Sequence, residues 1–99
     1  MLVAQGNLAE ALKSFRASHD IFGRLAQADP GNAGWQRDLA VSHAKLASVF
    51  RKEGENAKAL DALRRGRAIM ARMTALSPDN AVWKRDLAWF DEQIAEMAR

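Results

Sequence analysis

An internal repeat constrains the fold of this sequence more than any other feature. When the chain is shifted by 48 positions, residues 5–51 align with residues 53–99, and 17 of the 47 pairs are identical. The densest matches join Trp35 and the Arg-Asp-Leu-Ala segment at 37–40 to Trp83 and the same segment at 85–88. Recurrence at a fixed period is typical of repeat architectures. The sequence therefore predicts a single domain over residues 1–99, with a partial unit 1–32, a complete unit 33–80 and a partial unit 81–99.

Each unit has the apolar spacing of two helices. In the complete unit, steps of three and four residues lead from Trp35 through Leu39 and Leu46 to Phe50, which is one face of a helix. The apolar face expected for the second helix comprises Ala59, Ala62, Leu63, Gly66, Ile69, Met70, Met73 and Leu76. The pattern predicts an all-α fold with helices over about 7–28, 33–53, 56–76 and 81–98.

Proline, asparagine and glycine mark the helix boundaries. Pro30 and Pro78 push the residue before them out of the α region, so a helix should end there. Asn32 and Asn80 follow at the position where a helix N-cap is needed. We interpret Gly6 and Gly54 as hairpin turns, and residues 1–5 as the tail of a preceding helix.

Residues Leu46, Ala47, Phe50, Gly54, Ala59, Leu63 and Gly66 resemble the tetratricopeptide repeat consensus. The first copy offers Gly6, Ala11, Phe15, Ser18 and Pro30 at matching places, and the last copy offers Leu87, Ile94 and Ala95. The resemblance covers nearly the whole chain. It implies TPR-like antiparallel helix hairpins, stacked as a short right-handed α-solenoid of four long helices.

The repeat is longer than the usual tetratricopeptide unit of about 34 residues. The excess amounts to roughly two helical turns in each helix, which lengthens a hairpin without turning its apolar face away. The segment DPGNAGWQRDLA at 29–40 is similar to one that recurs in bacterial multi-repeat proteins. In such proteins the repeats often accompany signalling or effector domains.

Composition argues against catalytic and membrane functions. The chain has no cysteine, and its two histidines, His19 and His43, do not recur at the sister positions. No spacing gathers metal ligands or a nucleophile with a base, so we expect no enzyme activity, no metal and no cofactor. The N-terminus does not resemble a secretory signal, and no apolar stretch is long enough to cross a membrane. A cytoplasmic location is expected.

The resemblance implies that the first helix of each unit lines a concave surface that binds a protein or peptide. On that basis the predicted partner-binding residues are Val41, Lys45, Ser48, Arg51, Lys52 and Trp89. An acidic peptide contacting Lys45, Arg51 and Lys52 is the specific hypothesis. Some members clamp a peptide C-terminal carboxylate with a set of Lys, Arg and Asn residues. The chain matches that set at most in Lys45 and Arg51, so this specificity is not predicted.

The recurring residues are interpreted as structural. Trp35 and Trp83 could be binding hot spots, but each is four residues from a core-facing leucine, which favours packing. The full structural set is Gly6, Ala11, Phe15, Trp35, Leu39, Leu46, Phe50, Gly54, Ala59, Leu63, Trp83 and Leu87. We also expect Arg37 or Asp38 to pair with Asp86 or Arg85 between stacked units.

Two further hypotheses remain at the level of sequence. The net charge of +3 and the arginines at 64, 65, 67 and 72 suggest, as the alternative function, a nucleic-acid-associated helical protein. No aromatic residues interleave with these arginines, which favours a solvated outer face instead. The uncapped terminal helices predict either a fragment of a longer array or a homodimer formed through the unfinished ends.

Overall fold

The computed structural model describes residues 2–98, with side chains from residue 7 to residue 98. This part of the chain forms four helices and no strand: α1 (Leu2–Ala28), α2 (Ala33–Lys52), α3 (Asn56–Leu76) and α4 (Ala81–Met97). The all-α prediction is confirmed. The bounds of α2, α3 and α4 agree with the predicted ranges to within one residue.

Three of the predicted boundary residues, Asn32, Asn80 and Gly54, have the expected roles. The Asn32 side chain accepts a hydrogen bond from the Trp35 backbone N–H at 3.1 Å, and Asn80 accepts one from Trp83 at 3.0 Å. Each asparagine thereby satisfies an N–H group that the first turn of a helix leaves unpaired. Gly54 adopts φ +79°, a left-handed conformation that favours glycine, in the turn between α2 and α3.

One predicted turn is wrong. Helix α1 begins at Leu2 and continues through Gly6, where we expected a hairpin. Residues 2–5 consequently belong to α1 and do not form the tail of a separate helix. A single glycine inside a helix costs about 1 kcal/mol relative to alanine, which a helix of 27 residues tolerates. Gly54 differs because Lys52 and Glu53 already end α2 before it.

Consecutive helices pack on one another, α1 on α2, α2 on α3, and α3 on α4. Helix α3 has the largest buried face, and seven of the eight residues predicted for it are buried. Leu76 is the exception, because it is the last residue of α3 and remains 86% exposed. The buried cluster comprises Ala40, Ala47, Ala59, Ala62, Leu63, Ile69, Met70, Met73 and Phe90. Partly buried Leu39, Phe50, Trp83 and Leu87 pack against it.

The two copies of the repeat make equivalent contacts between their helices. His19 of α1 lies beside His43 of α2, with ring centroids 4.3 Å apart. The residues 48 positions later, Arg67 of α3 and Asp91 of α4, form a salt bridge. The same two positions therefore meet in both helix pairs, although the side chains have changed completely. The 48-residue repeat is thus a repeat of helix packing as well as of sequence.

Candidate functional site

Helices α2 and α4 lie side by side, and two polar contacts join them. Near their N-terminal ends, Arg37 Nε donates to Asp86 Oδ2 at 2.7 Å and Nη2 approaches Oδ1 at 3.4 Å. Farther along, Arg51 Nη1 donates to Gln93 Oε1 at 3.0 Å. The Asp86 carboxylate raises the pKa of Arg37 through this hydrogen bond. The predicted pairing between units is confirmed, with Arg37 and Asp86 as the partners.

Between these contacts lies an elongated depression, here called the α2–α4 groove. One part is a cavity of about 300 Å³ lined by Ala44, Ala47, Ser48, Arg51, Lys52, Leu63, Trp89 and Gln93. The adjoining part is a cavity of about 270 Å³ lined by Ala40, Val41, Ala44, Met70, Asp86, Trp89 and Phe90. Ala44 and Trp89 border both cavities, so the two parts form one groove.

The groove owes its shape to small and large residues on different helices. Ala40, Ala44 and Ala47 leave space along α2, while buried Leu63 of α3 lies beneath. Trp89 stands at the centre, 43% exposed, with its ring edge-on to the buried Phe90 ring at 5.1 Å between centroids. A tryptophan held on one side and open on the other offers a large apolar contact at little further cost in side-chain entropy.

The charge along the groove is uneven. Arg51 and Lys52 are exposed at one end, and Asp86 at the other end is already paired with Arg37. The neutral Gln93 side chain accepts from Arg51 and does not cancel its charge. The groove consequently combines an apolar centre with a cationic end, an arrangement that complements a ligand bearing both apolar and anionic groups.

The structure brings most of the predicted binding residues together. Ser48, Arg51, Lys52 and Trp89 line the first cavity and Val41 lines the second. Lys45 lies on the opposite edge of α2, where its Nζ approaches the Phe15 ring of α1 at 5.8 Å from the centroid. Lys45 is therefore not part of the cationic end, because its ammonium group approaches α1 and does not line the cavities that face α4.

Ala40 and Ala47 of α2 were absent from the predicted set. The alanines line the groove by being small, and an alanine-rich helix gives no sequence signal for that role. The sequence offered one signal of a widened apolar surface. Trp89 stands at the repeat position that Val41 occupies in the other copy, and its side chain is much larger.

A second polar cluster lies between α1 and α2. Ser42 Oγ donates to the Leu39 carbonyl at 2.7 Å, so its single proton is used and it accepts from His19 Nδ1–H, also at 2.7 Å. Burial, and to a smaller extent the neighbouring His19 and Arg65, lower the pKa of His43 to about 4, against an opposing effect of Asp61. Burial also lowers the pKa of His19. Both rings are therefore neutral near pH 7.

The arginine face of α3 carries less free charge than its sequence suggests. Arg65 pairs with Asp61 at 2.9 Å, and Arg67 pairs with Asp91. Arg64 and Arg72 are exposed. Within residues 2–98, no group of three or more His, Asp or Glu side chains could hold a metal ion. None of the helices over the same range is long and apolar enough to cross a membrane.

Comparison of the chain with family models, with curated proteins and with solved structures found no match. The geometry of the α2–α4 groove is consequently the basis on which a function is proposed.

Proposed function

We propose that the chain is an interaction module of the tetratricopeptide type, with no catalytic activity of its own. Its helix pairs would stack as a right-handed α-solenoid, and the α2–α4 groove would hold a protein or peptide partner. The observation that carries this proposal is the position of Trp89, which is exposed between two adjoining cavities and beside two cations.

The groove chemistry favours a partner that is both apolar and acidic. Trp89 and the α2 alanines provide an apolar contact, and Arg51 and Lys52 provide positive charge at one end. Buried apolar area contributes about 25 cal/mol per Å², while the charges mainly set orientation and specificity. Lys45, on the other edge of α2, contributes less to this partner than Arg51 and Lys52.

The proposal can be tested with labelled peptides and fluorescence anisotropy. The probe is a fluorescein-labelled peptide of alternating Glu and Leu, and a Lys-Leu peptide of equal length controls for charge. We expect binding of the acidic peptide only. The double reversal Arg51→Glu with Lys52→Glu should weaken it about tenfold or more, because it removes both cations from the groove.

The matched control carries the same change in charge away from the groove. Arg64→Glu with Lys84→Glu alters two exposed side chains on α3 and α4 and should leave affinity unchanged. Trp89→Ala should weaken binding as strongly as the double reversal, because it removes the central apolar contact. Equal loss in the control variant, or equal binding of the two peptides, would show that binding is nonspecific and would contradict the proposal.

A further inference from the structure

The two copies of the repeat differ in how their outer faces are covered. In the second copy, α2 packs on α3 and reaches α4 through side chains, and its Ala40 and Ala47 join the buried cluster with Leu63, Met70 and Phe90. In the first copy, the same surface is formed by α1 and α2, and within residues 2–98 no helix covers it. We call this surface the α1–α2 face.

The equivalence of the two surfaces is close. A cavity of about 310 Å³ on the α1–α2 face is bordered by Phe15, Phe22, Asp38, Val41 and Lys45. The residues 48 positions later are Leu63, Met70, Asp86, Trp89 and Gln93. All five of these contact or border α2 in the second copy. The cavity therefore lies where a helix equivalent to α2 would pack on the first copy.

Helix α4 has the features needed to fill that position. It is the repeat counterpart of α2, and Ala88 and Ala95 correspond to the buried Ala40 and Ala47. Both of these α4 alanines are exposed. Leu87 and Ile94, at the positions of Leu39 and Leu46, are only partly buried. Helix α4 thus retains the small-residue face with which α2 packs, and in the described structure this face is open.

The ion pair that joins α2 and α4 has an oppositely charged counterpart on the two surfaces. Arg85 corresponds to Arg37 and Asp38 corresponds to Asp86, the two residues that pair inside the chain. Arg85 and Asp38 are both exposed and form no ion pair in residues 2–98. Glu92 takes the place of Ala44, and Lys45 takes that of Gln93, so a second pair of opposite charges would lie within the same contact.

We propose that α4 of one copy of this chain docks on the α1–α2 face of a second copy, in the register in which α2 packs on α3 and α4. Arg85 then pairs with Asp38 of the second copy, and Glu92 lies near Lys45. This interface is heterologous, since it joins two different surfaces. Each added copy presents a new α4 face and a new α1–α2 face, so association continues beyond the dimer.

Sedimentation velocity over a range of concentrations, up to roughly millimolar, tests the proposal. The wild-type chain should grow from monomer to dimer and then to larger species as concentration rises. Asp38→Arg and Arg85→Asp should each weaken association about tenfold, because each places like charges opposite one another. The double variant Asp38→Arg with Arg85→Asp should restore association, since it exchanges the partners of the pair.

The rescue distinguishes this interface from misfolding and from a symmetric dimer. Arg64→Asp, an exposed reversal on the outer face of α3, is the matched control and should associate like the wild type. Association that stops at the dimer, or a double variant that stays as weak as the single ones, would overturn the proposed register. A wild-type chain that remains monomeric at every concentration would overturn the proposal entirely. Peptide binding in the α2–α4 groove does not depend on either outcome.

Discussion

At the scale of single residues, Gly66 leaves no room for a side chain beside the buried Phe90 ring. A Cβ atom built on Gly66 would lie 2.5 Å from Cε1 of buried Phe90 and 3.2 Å from the Ala40 carbonyl oxygen. The sister positions of Gly66 and Phe90 are Ser18 and Ser42. The second copy therefore combines a glycine with a phenylalanine at this contact, whereas the first copy has two serines.

The variant Gly66→Ala should consequently destabilise the fold by about 1–2 kcal/mol, because the strain of overpacking exceeds the gain in helix propensity. Gly23→Ala is the matched control, since it lies inside α1 with nothing within 4 Å of an added Cβ. That control should stabilise the chain by about 0.5–1 kcal/mol. Urea unfolding of both variants gives the comparison, and a Gly66→Ala variant more stable than the wild type would refute the proposed contact.

The histidine pair gives stability a defined dependence on pH. The pKa of His43 is lowered to about 4 in the folded chain, against about 6.5 for an unfolded chain. Between these values the unfolded state binds more protons, so stability falls as pH decreases from about 6.5 towards 4. His19, whose pKa is also lowered, contributes with the same sign.

Replacing the ring with His43→Gln should reduce this pH dependence. We expect the wild type to lose stability on the order of 1 kcal/mol relative to the variant between pH 7 and pH 5, after allowance for solvent screening. Urea unfolding at several pH values measures the difference. Parallel curves for the two proteins would mean that His43 is not held neutral by its surroundings.

At the scale of helices, repetition in the sequence predicted repetition in the packing. The recurrence of Arg-Asp-Leu-Ala allowed the contact between α2 and α4 to be anticipated, and Arg37 and Asp86 form it. The N-caps and the turn at Gly54 could be predicted because each has a local physical cause. The α2–α4 groove could be predicted in part, from charge and from the position of Trp89.

The failures at this scale have physical reasons as well. Gly6 and Gly54 are both glycines, but a glycine permits a turn without requiring one. Helix α1 continues through Gly6. Leu76 fits the apolar period of α3, but it is the last residue of that helix and its side chain remains exposed. Lys45 belongs to the same helix surface by sequence spacing, but the neighbour it meets is α1.

The ion pair between α2 and α4 should contribute measurable coupling. A double-mutant cycle with Arg37→Ala and Asp86→Ala should give about 0.5–1 kcal/mol, since the side chains are 41% and 24% exposed. The more exposed Arg65–Asp61 pair, which lies within α3, is the comparison and should give about 0.3–0.5 kcal/mol. Coupling near zero for Arg37 and Asp86, as measured by urea unfolding, would mean that their contact does not hold the two helices together.

At the scale of the whole molecule, the described chain measures 45 × 33 × 19 Å along its principal axes. The shortest dimension is close to two helix diameters. The α2–α4 groove is accessible at Trp89, which is 43% exposed, and within residues 2–98 no helix covers the α1–α2 face or the exposed alanines of α4. Packing of consecutive helix pairs buries apolar surface between them. The surfaces that stay exposed are available for binding another molecule.

The most direct test of this account is the response of the tryptophan indole N–H groups to a ligand. The three tryptophans, Trp35, Trp83 and Trp89, give three signals in a ¹H–¹⁵N NMR spectrum. On titration with the Glu-Leu peptide, the Trp89 signal should shift progressively, while those of Trp35 and Trp83 should not move. A shift confined to Trp35 or Trp83, or no shift at a peptide concentration that saturates the anisotropy signal, would contradict the placement of the binding site in the α2–α4 groove.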